Sequence, residues 1–247
     1  MTFKDHFSSR SADYAVYRPT YPASVVDYLA SLCGGTELAL DVGCGSGQLS
    51  VLLAERFGRV IATDASAQQV AKAEPHPRVE YRVAAAEASG LADRSVDLIT
   101  AAQAAHWFDL PAFYAEARRI GKPGSVLALI TYGVLEADPE INPVLQHFYK
   151  DVVGPYWPPE RRHVEEGYRS FDFPFAEIAA PPLAITVHWR AADLIGYTDT
   201  WSAVRGAEKA LGRSPVVAFR QSLAEAWGDL EQRRTIRFPL SFRVGRL

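Results

Sequence analysis

The sequence predicts an α/β fold, with a doubly wound, mostly parallel sheet of seven strands, helices on both faces and an inserted cap. Three observations predict it. Short apolar runs alternate with segments of helical periodicity as far as Tyr132, and strands joined through helices lie parallel with the helices on the sheet faces. A glycine-rich turn, Gly43 to Gly47, joins the first apolar run to the helix after it. Beyond Asp138 the alternation gives way to a proline-rich stretch before periodic segments return. A chain of 247 residues suits one domain with a single sizeable core.

Each element has its own signal. After Pro22, the residues Val25, Val26, Tyr28, Leu29 and Leu32 recur at helical spacing until Gly34 and Gly35 stop them. Leu38 to Val42 reads as the first strand, and Gln48 to Phe57 is helical through Leu49, Leu52, Leu53 and Phe57. Val60 to Thr63 makes the second strand and ends at Asp64; Ser66 to Glu74 looks helical, and Val79 to Ala84 is a third strand. A fourth strand opens at Ser95 and Val96 and ends near Ala102. Leu110 to Ile120 is a helix, and Ser125 to Tyr132 follows the Lys122-Pro123-Gly124 turn as the fifth strand.

Residues 138–182 mix prolines and aromatics such as Tyr156, Trp157, Tyr168, Phe171 and Phe173 with charges, and read as an inserted cap. Leu183 to Trp189 alternates like a strand. Asp193 to Trp201 and Pro215 to Trp227 look helical, and Thr235 to Val244 reads as a long final strand. The whole chain, residues 1–247, is expected to be one domain.

Composition narrows the class. With 48% hydrophobic and 22% charged residues, a net charge of -3 and a pI near 6.1, the chain offers no electrostatic reason to expect nucleic acid. No window approaches the apolar length of a membrane span, and the N-terminus lacks the apolar core of a signal peptide. Its two cysteines, Cys33 and Cys44, cannot form a metal quartet, and a disulfide at Cys44 would freeze a glycine loop, so a reducing cytoplasm is the simpler setting. The six histidines are too dispersed for a metal site. Nothing in the sequence fixes an oligomeric state.

The glycine loop carries the chemistry. Ligands of such a Rossmann-like sheet bind outside the carboxyl ends of the strands. Gly43, Gly45 and Gly47 spell G-x-G-x-G, whereas the dinucleotide fingerprint needs glycine where Gln48 stands. A carboxylate at Asp41 would meet a pyrophosphate with like charge but suits an ammonium or sulfonium. S-adenosylmethionine carries both. Its carboxylate could take backbone N–H groups at the N-terminus of the helix that begins near Ser46, just past Cys44 in the loop, and Asp64, ending the second strand before Ala65, can accept both hydroxyls of a ribose. Against this stand two alternatives: an NAD(P)-dependent oxidoreductase, for which Asp64 would serve equally well, and a non-catalytic cofactor-binding module. Three glycines can also make a merely structural turn.

The stretch LALDVGCGSGQLS resembles the first motif of the type 11 group of class I S-adenosylmethionine-dependent methyltransferases, and VAAAEASGL and SVDLITAAQAAHWFD are similar to later segments of that group. The resemblance implies that Ala86 and Glu87 lie beside the adenine and that Ala102 and Gln103 border the methionine end. Tyr14, Tyr17, Arg18, Pro19, Tyr21 and Pro22 resemble the N-terminal segment of a subgroup that includes fungal trans-aconitate methyltransferases, where it folds over the cofactor. That implies a lid at residues 1–21, with Tyr14 and Arg18 at the cofactor. GYTDTWSAV and FPLSFRVGR extend the likeness towards the C-terminus.

Methyl transfer is a displacement at a sulfonium carbon, so the main task is to align nucleophile, methyl and sulfur and exclude water. A hydroxyl or amine acceptor would gain from a general base, and His106 is the candidate; a carboxylate needs none. The other reading of His106 is a hydrogen bond within its loop. Trp107, Tyr156, Trp157, Tyr197 and Trp201 are the candidate walls of a pocket for a small-molecule methyl acceptor. Arg161 and Arg162 could clamp an acidic acceptor or simply face solvent.

Overall fold

The computed structural model describes residues 19–247. Its strands are β1 (Leu38–Val42), β2 (Arg59–Asp64), β3 (Val79–Val83), β4 (Val96–Ala102), β5 (Gly121–Tyr132), β6 (Ala176–Glu177), β7 (Ala184–Trp189) and β8 (Arg234–Arg246). They form one eight-stranded sheet in the order β3-β2-β1-β4-β5-β8-β6, with β7 also paired to β8. The first five run parallel, and β8 is antiparallel to β5, β6 and β7. The eighth strand is β6, whose two residues are too short to register as periodicity.

Strand order reverses beside β1: the chain moves outward through β2 and β3, then returns to lay β4 on the other side of β1. The loops after β1 and β4 therefore part company, and a crevice opens between them.

Nine α-helices, beside short 3-10 or π segments at Ala105–Trp107, Phe148–Val152 and Gly154–Tyr156, lie among the described residues: α1 (Ala23–Leu32), α2 (Gln48–Leu53), α3 (Ala67–Val70), α4 (Leu110–Ile120), α5 (Asn142–His147), α6 (Arg161–Glu165), α7 (Ala191–Asp199), α8 (Ser202–Leu211) and α9 (Val216–Trp227). Alternate side chains on each central strand enter opposite cores. On β5, Val126, Ala128 and Ile130 face α1, α2 and the C-terminal helices, whereas Leu127 and Leu129 join Phe113, Ala117 and Ile120 of α4. Residues 138–182 feed both cores, with Ile141, Leu145, Phe148 and Val153 in one and Val164, Tyr168 and Phe173 in the other. The insertion is thus welded into the domain.

Several boundaries differ from the sequence expectation. The helix after β1 stops at Leu53 instead of Phe57, and α3 covers only Ala67–Val70 of the expected Ser66 to Glu74. Most of the α3 face is exposed, so little tertiary packing sustains it. α8 escapes the sequence pattern because α7 and α8 abut. Thr200 Oγ1 donates to the Tyr197 carbonyl at 2.6 Å, ending α7, and Trp201 is extended before the chain coils again. β5 begins at Gly121, before the expected Ser125, through a bulged pairing with Val96.

Candidate active site

The three loop glycines are required for different reasons. All have left-handed φ: 67° at Gly43, 55° at Gly45 and 89° at Gly47, a region costly for side-chain-bearing residues. A Cβ on Gly43 would lie 2.4 Å from Ala104 Cβ, and one on Gly47 would lie 2.2 Å from the Tyr81 hydroxyl. Those two let the protein pack on itself. At Gly45 nothing lies within 4 Å, so this glycine borders open space.

Asp64 fixes that open face. Its Oδ2 accepts the Gly45 N–H at 2.9 Å and its Oδ1 accepts the Ser66 N–H at 2.8 Å, while Cys44 N–H reaches the Thr63 carbonyl at 2.9 Å. Each carboxylate oxygen keeps acceptor capacity beyond these bonds. Ala65 follows, exposed, and Gln48 opens α2 half-buried.

Asp41 sits elsewhere than the sequence argument put it. Its carboxylate points into the core, only 1% exposed, and accepts Ser50 Oγ at 2.6 Å and Thr100 Oγ1 at 2.8 Å. It ties α2 and β4 together beneath the loop. Burial raises its pKa to about 6, against the help of both hydroxyls.

After β3, Ala86 is buried among core side chains, and Glu87 Oε1 accepts the Asp109 N–H at 3.0 Å, holding the start of α4. After β4, Ala102 ends the strand and Gln103 takes a left-handed φ of 55°. Three bonds hold Gln103 there: its N–H to the Ile130 carbonyl at 2.8 Å, its Nε2 to the Tyr132 carbonyl at 2.9 Å, and Thr131 Oγ1 to its Oε1 at 2.8 Å. These bonds hold a non-glycine residue in a conformation that costs backbone strain. Tyr14 and Arg18 lie outside the described residues.

Gln103 borders a cavity of about 110 Å³ that runs under the insertion. His106, Trp107, Trp157, Tyr197 and Trp201 line it, together with Arg161 and Arg205. Four of the five aromatics expected at the acceptor thus converge. Tyr156 does not line it; it packs against α8, where a Cβ added to Gly206 would lie 3.2 Å from the Tyr156 Cβ and carbonyl oxygen. The two arginines of the insertion separate: Arg162 is 71% exposed and pairs loosely with Glu166, whereas Arg161 is only 21% exposed.

Arg161 is held rigidly. Its Nε donates to the Tyr149 hydroxyl at 2.8 Å, Tyr149 in turn donates to Glu165, and the guanidinium lies 4.7 Å from the centre of the Trp157 ring. Arg205 Nη1 donates to the Thr200 carbonyl at 3.0 Å. Sequence reasoning missed Arg205, Tyr149 and the Asp41 partners. Arg205 stands in the helix that left no separate signal, and hydroxyl partners carry no motif.

His106 Nδ1 contacts the Tyr168 hydroxyl at 2.9 Å. Burial, then the charge of Arg161 and His163, pulls its pKa down to about 3. The imidazole is neutral at physiological pH and a poor proton sink, which weakens the general-base reading. Among the described residues no His, Cys, Asp and Glu side chains cluster as a metal site, and no helix is long and apolar enough to cross a membrane.

A family model described as a methyltransferase domain, of the type 11 group, matches residues 40–129, from β1 into β5. A protein of Dictyostelium discoideum assigned as a methyltransferase is 34% identical over 229 residues, which is 91% of this chain and 87% of that one. The chain belongs to the class I methyltransferase family. Among solved methyltransferase structures, one from Anaeromyxobacter dehalogenans, assigned as type II, is 45% identical with a TM-score of 0.90, covering 93% of this chain and 98% of that one. An uncharacterized methyltransferase of Schizosaccharomyces pombe is 34% identical over 128 residues, 50% of this chain and 51% of that protein. The methyltransferase likeness therefore reaches well past the glycine loop and takes in the insertion and the α7 and α8 residues that wall the cavity.

Proposed function

We propose that this chain is an S-adenosylmethionine-dependent methyltransferase that methylates a carboxylate oxygen of a small acidic molecule. The observation that carries the acceptor is the pair of guanidinium groups, Arg161 and Arg205, lining a cavity whose other walls include Trp107, Trp157, Trp201, Tyr149 and Tyr197. An anion taken from water needs such partners to repay its desolvation.

For the donor, the open space at Gly45 is a cradle that a Cβ would intrude upon, and it lies beside an Asp64 carboxylate with acceptor capacity to spare. These features fit a ribose-bearing cofactor. Asp64 would hold the ribose hydroxyls, the Gly43–Gly47 backbone and Gln48 the methionine portion, Ala65 and Ala86 the base, and Ala102 and Gln103 the side facing the acceptor. When bound, S-adenosylmethionine supplies a methyl group made electrophilic by its sulfonium.

The chain's own contribution is placement. Arg161, braced by Tyr149 and stacked on Trp157, orients the carboxylate; Trp107, Trp157 and Trp201 exclude water. A carboxylate is already a nucleophile at neutral pH, so the weak basicity of His106 is no obstacle.

Calorimetry against S-adenosylmethionine, S-adenosylhomocysteine and NADH tests the donor, and tight binding of NADH alone would refute it. Screening small acids, phenols and amines for S-adenosylhomocysteine release tests the acceptor. Turnover confined to phenols or amines would overturn the carboxylate assignment.

A further inference from the structure

β3 is the outer strand of the sheet, and among the described residues no strand pairs with its far side. Which backbone groups face that side follows from its parallel pairing with β2. The Val60 N–H donates to the Arg78 carbonyl at 2.8 Å and the Ala84 N–H to the Asp64 carbonyl at 3.1 Å, with Tyr81 in register with Ala62 between them. A parallel ladder alternates, so Arg78, Glu80, Arg82 and Ala84 turn their backbone groups to β2, while Val79, Tyr81 and Val83 turn theirs outward. The Val79 N–H is taken by the His76 carbonyl at 3.0 Å. The Val79 carbonyl and both backbone groups of Tyr81 and Val83 are left at the edge without a partner among the described residues.

Such an open row is a template for another strand, and charged side chains are the usual protection. Here the charges do the opposite. Residues 79–83 read Val-Glu-Tyr-Arg-Val, a strand that is its own complement when reversed, acid against base. Two copies related by a two-fold axis pair antiparallel through the same residues. Ladder bonds form only between outward-facing residues, so odd-numbered positions oppose odd-numbered ones and each face of the sheet continues across the seam. A pairing centred on Tyr81 sets Glu80 of each copy opposite Arg82 of the other, and Val79 opposite Val83. Centring it on Glu80 sets glutamate against glutamate, and centring it on Arg82 sets arginine against arginine. Charge therefore selects one register.

Opposed residues of this non-hydrogen-bonded kind have Cα atoms about 4.5 Å apart, within reach of a cross-strand ion pair. Glu80 already holds Arg59 and Arg82 of its own chain, so the seam extends an alternation of charge that begins on β2. Val83, a large apolar side chain left 57% exposed, gains Val79 of the second copy as its neighbour. We infer that β3 is a dimer seam, at which a second copy of this chain adds antiparallel in the register centred on Tyr81 and makes one continuous sheet. The axis pierces the sheet at Tyr81, so α3, which packs on β2 and β3 with most of its face exposed, flanks the seam on the same side as its copy. That adds contact area to a five-residue seam, which alone falls short of a stable interface. The dimer rests on no part of the donor or acceptor assignment.

Analytical ultracentrifugation at micromolar concentrations tests the seam, with circular dichroism to show that each variant is folded. Wild type is expected to sediment as a concentration-dependent dimer. Glu80→Arg faces arginine with arginine across the seam and Arg82→Glu faces acid with acid, and each is expected to weaken dimerisation about tenfold or more. Mixed in equal amounts, the two variants oppose unlike charges again and are expected to form a heterodimer tighter than either alone. Val83→Pro removes an outward N–H that β2 does not use, and is expected to leave a folded monomer. A wild type that stays monomeric, a dimer indifferent to either charge reversal, a mixture no tighter than its components, or a dimeric Val83→Pro would overturn the inference.

Discussion

At the scale of single residues, Asp41 and His106 bury titratable groups with opposite consequences. Asp41 has its folded pKa raised to about 6, so the folded state holds a proton that the unfolded chain releases near pH 4; its burial penalises folding above about pH 6 and the penalty fades as pH falls to 4. His106, lowered to about 3, does the reverse: its contribution is intact above about pH 6.5 and is lost as pH falls towards 3. Between pH 4 and 6 the two slopes oppose each other, each up to about 1.4 kcal/mol per pH unit. Asp41→Asn is expected to stabilise the protein at pH 7.5 by on the order of 1–3 kcal/mol, with no gain near pH 4. His106→Gln should gain stability relative to wild type as pH is lowered over the same range. Denaturant melts at pH 4.5, 6 and 7.5 measure both. Asp64→Ala removes the acceptor of two backbone N–H groups together with the ribose contact proposed above, and is expected to weaken S-adenosylmethionine binding about tenfold or more by calorimetry.

At the scale of elements, the glycine loop separates packing from ligand space. Gly43→Ala meets Ala104 Cβ at 2.4 Å in a left-handed conformation, and should cost about 2–4 kcal/mol. Gly45→Ala carries only the conformational strain, about 1 kcal/mol, yet places a methyl group where the donor would lie. Thermal melts and calorimetry on both variants should show a large fall in Tm for the first, and for the second a small fall with weakened cofactor binding. This loop was legible in the sequence because its glycine spacing is dictated by backbone geometry. The five parallel strands were legible too, since burial on both faces makes continuous apolar runs. What the sequence hid depends on distant partners. Asp41 reads as a ligand contact until Thr100 and Ser50 are seen to enclose it. Arg205 lies on a helix whose start is set by a two-residue break, and Tyr168 looks like any aromatic of the insertion until its hydroxyl is found on His106.

At the scale of the molecule, the insertion belongs to both hydrophobic cores, so it should not melt separately. The fluorescence of Trp157 in a variant whose other four tryptophans are replaced by phenylalanine should follow the same transition as far-UV dichroism, which reports the sheet. Distinct midpoints would show the insertion to be an independent unit. This integration explains how residues from the loops after β4 and β5, the insertion, α7 and α8 can line one cavity with fixed geometry, and a rigid wall is what a positioned acceptor needs.

The long last strand adds a constraint of another kind. β8 pairs with β7 through Arg234–Pro239 and with β5 through Leu240–Arg246, and Tyr132 finds its partner Leu240 far along the chain. Until that closure, the apolar run Val126 to Tyr132 presents an unpaired edge, a template for another chain. Refolding should therefore be slow for a topology of such distant contacts and should lose yield as protein concentration rises, with intermolecular strand pairing competing for the place that β8 takes.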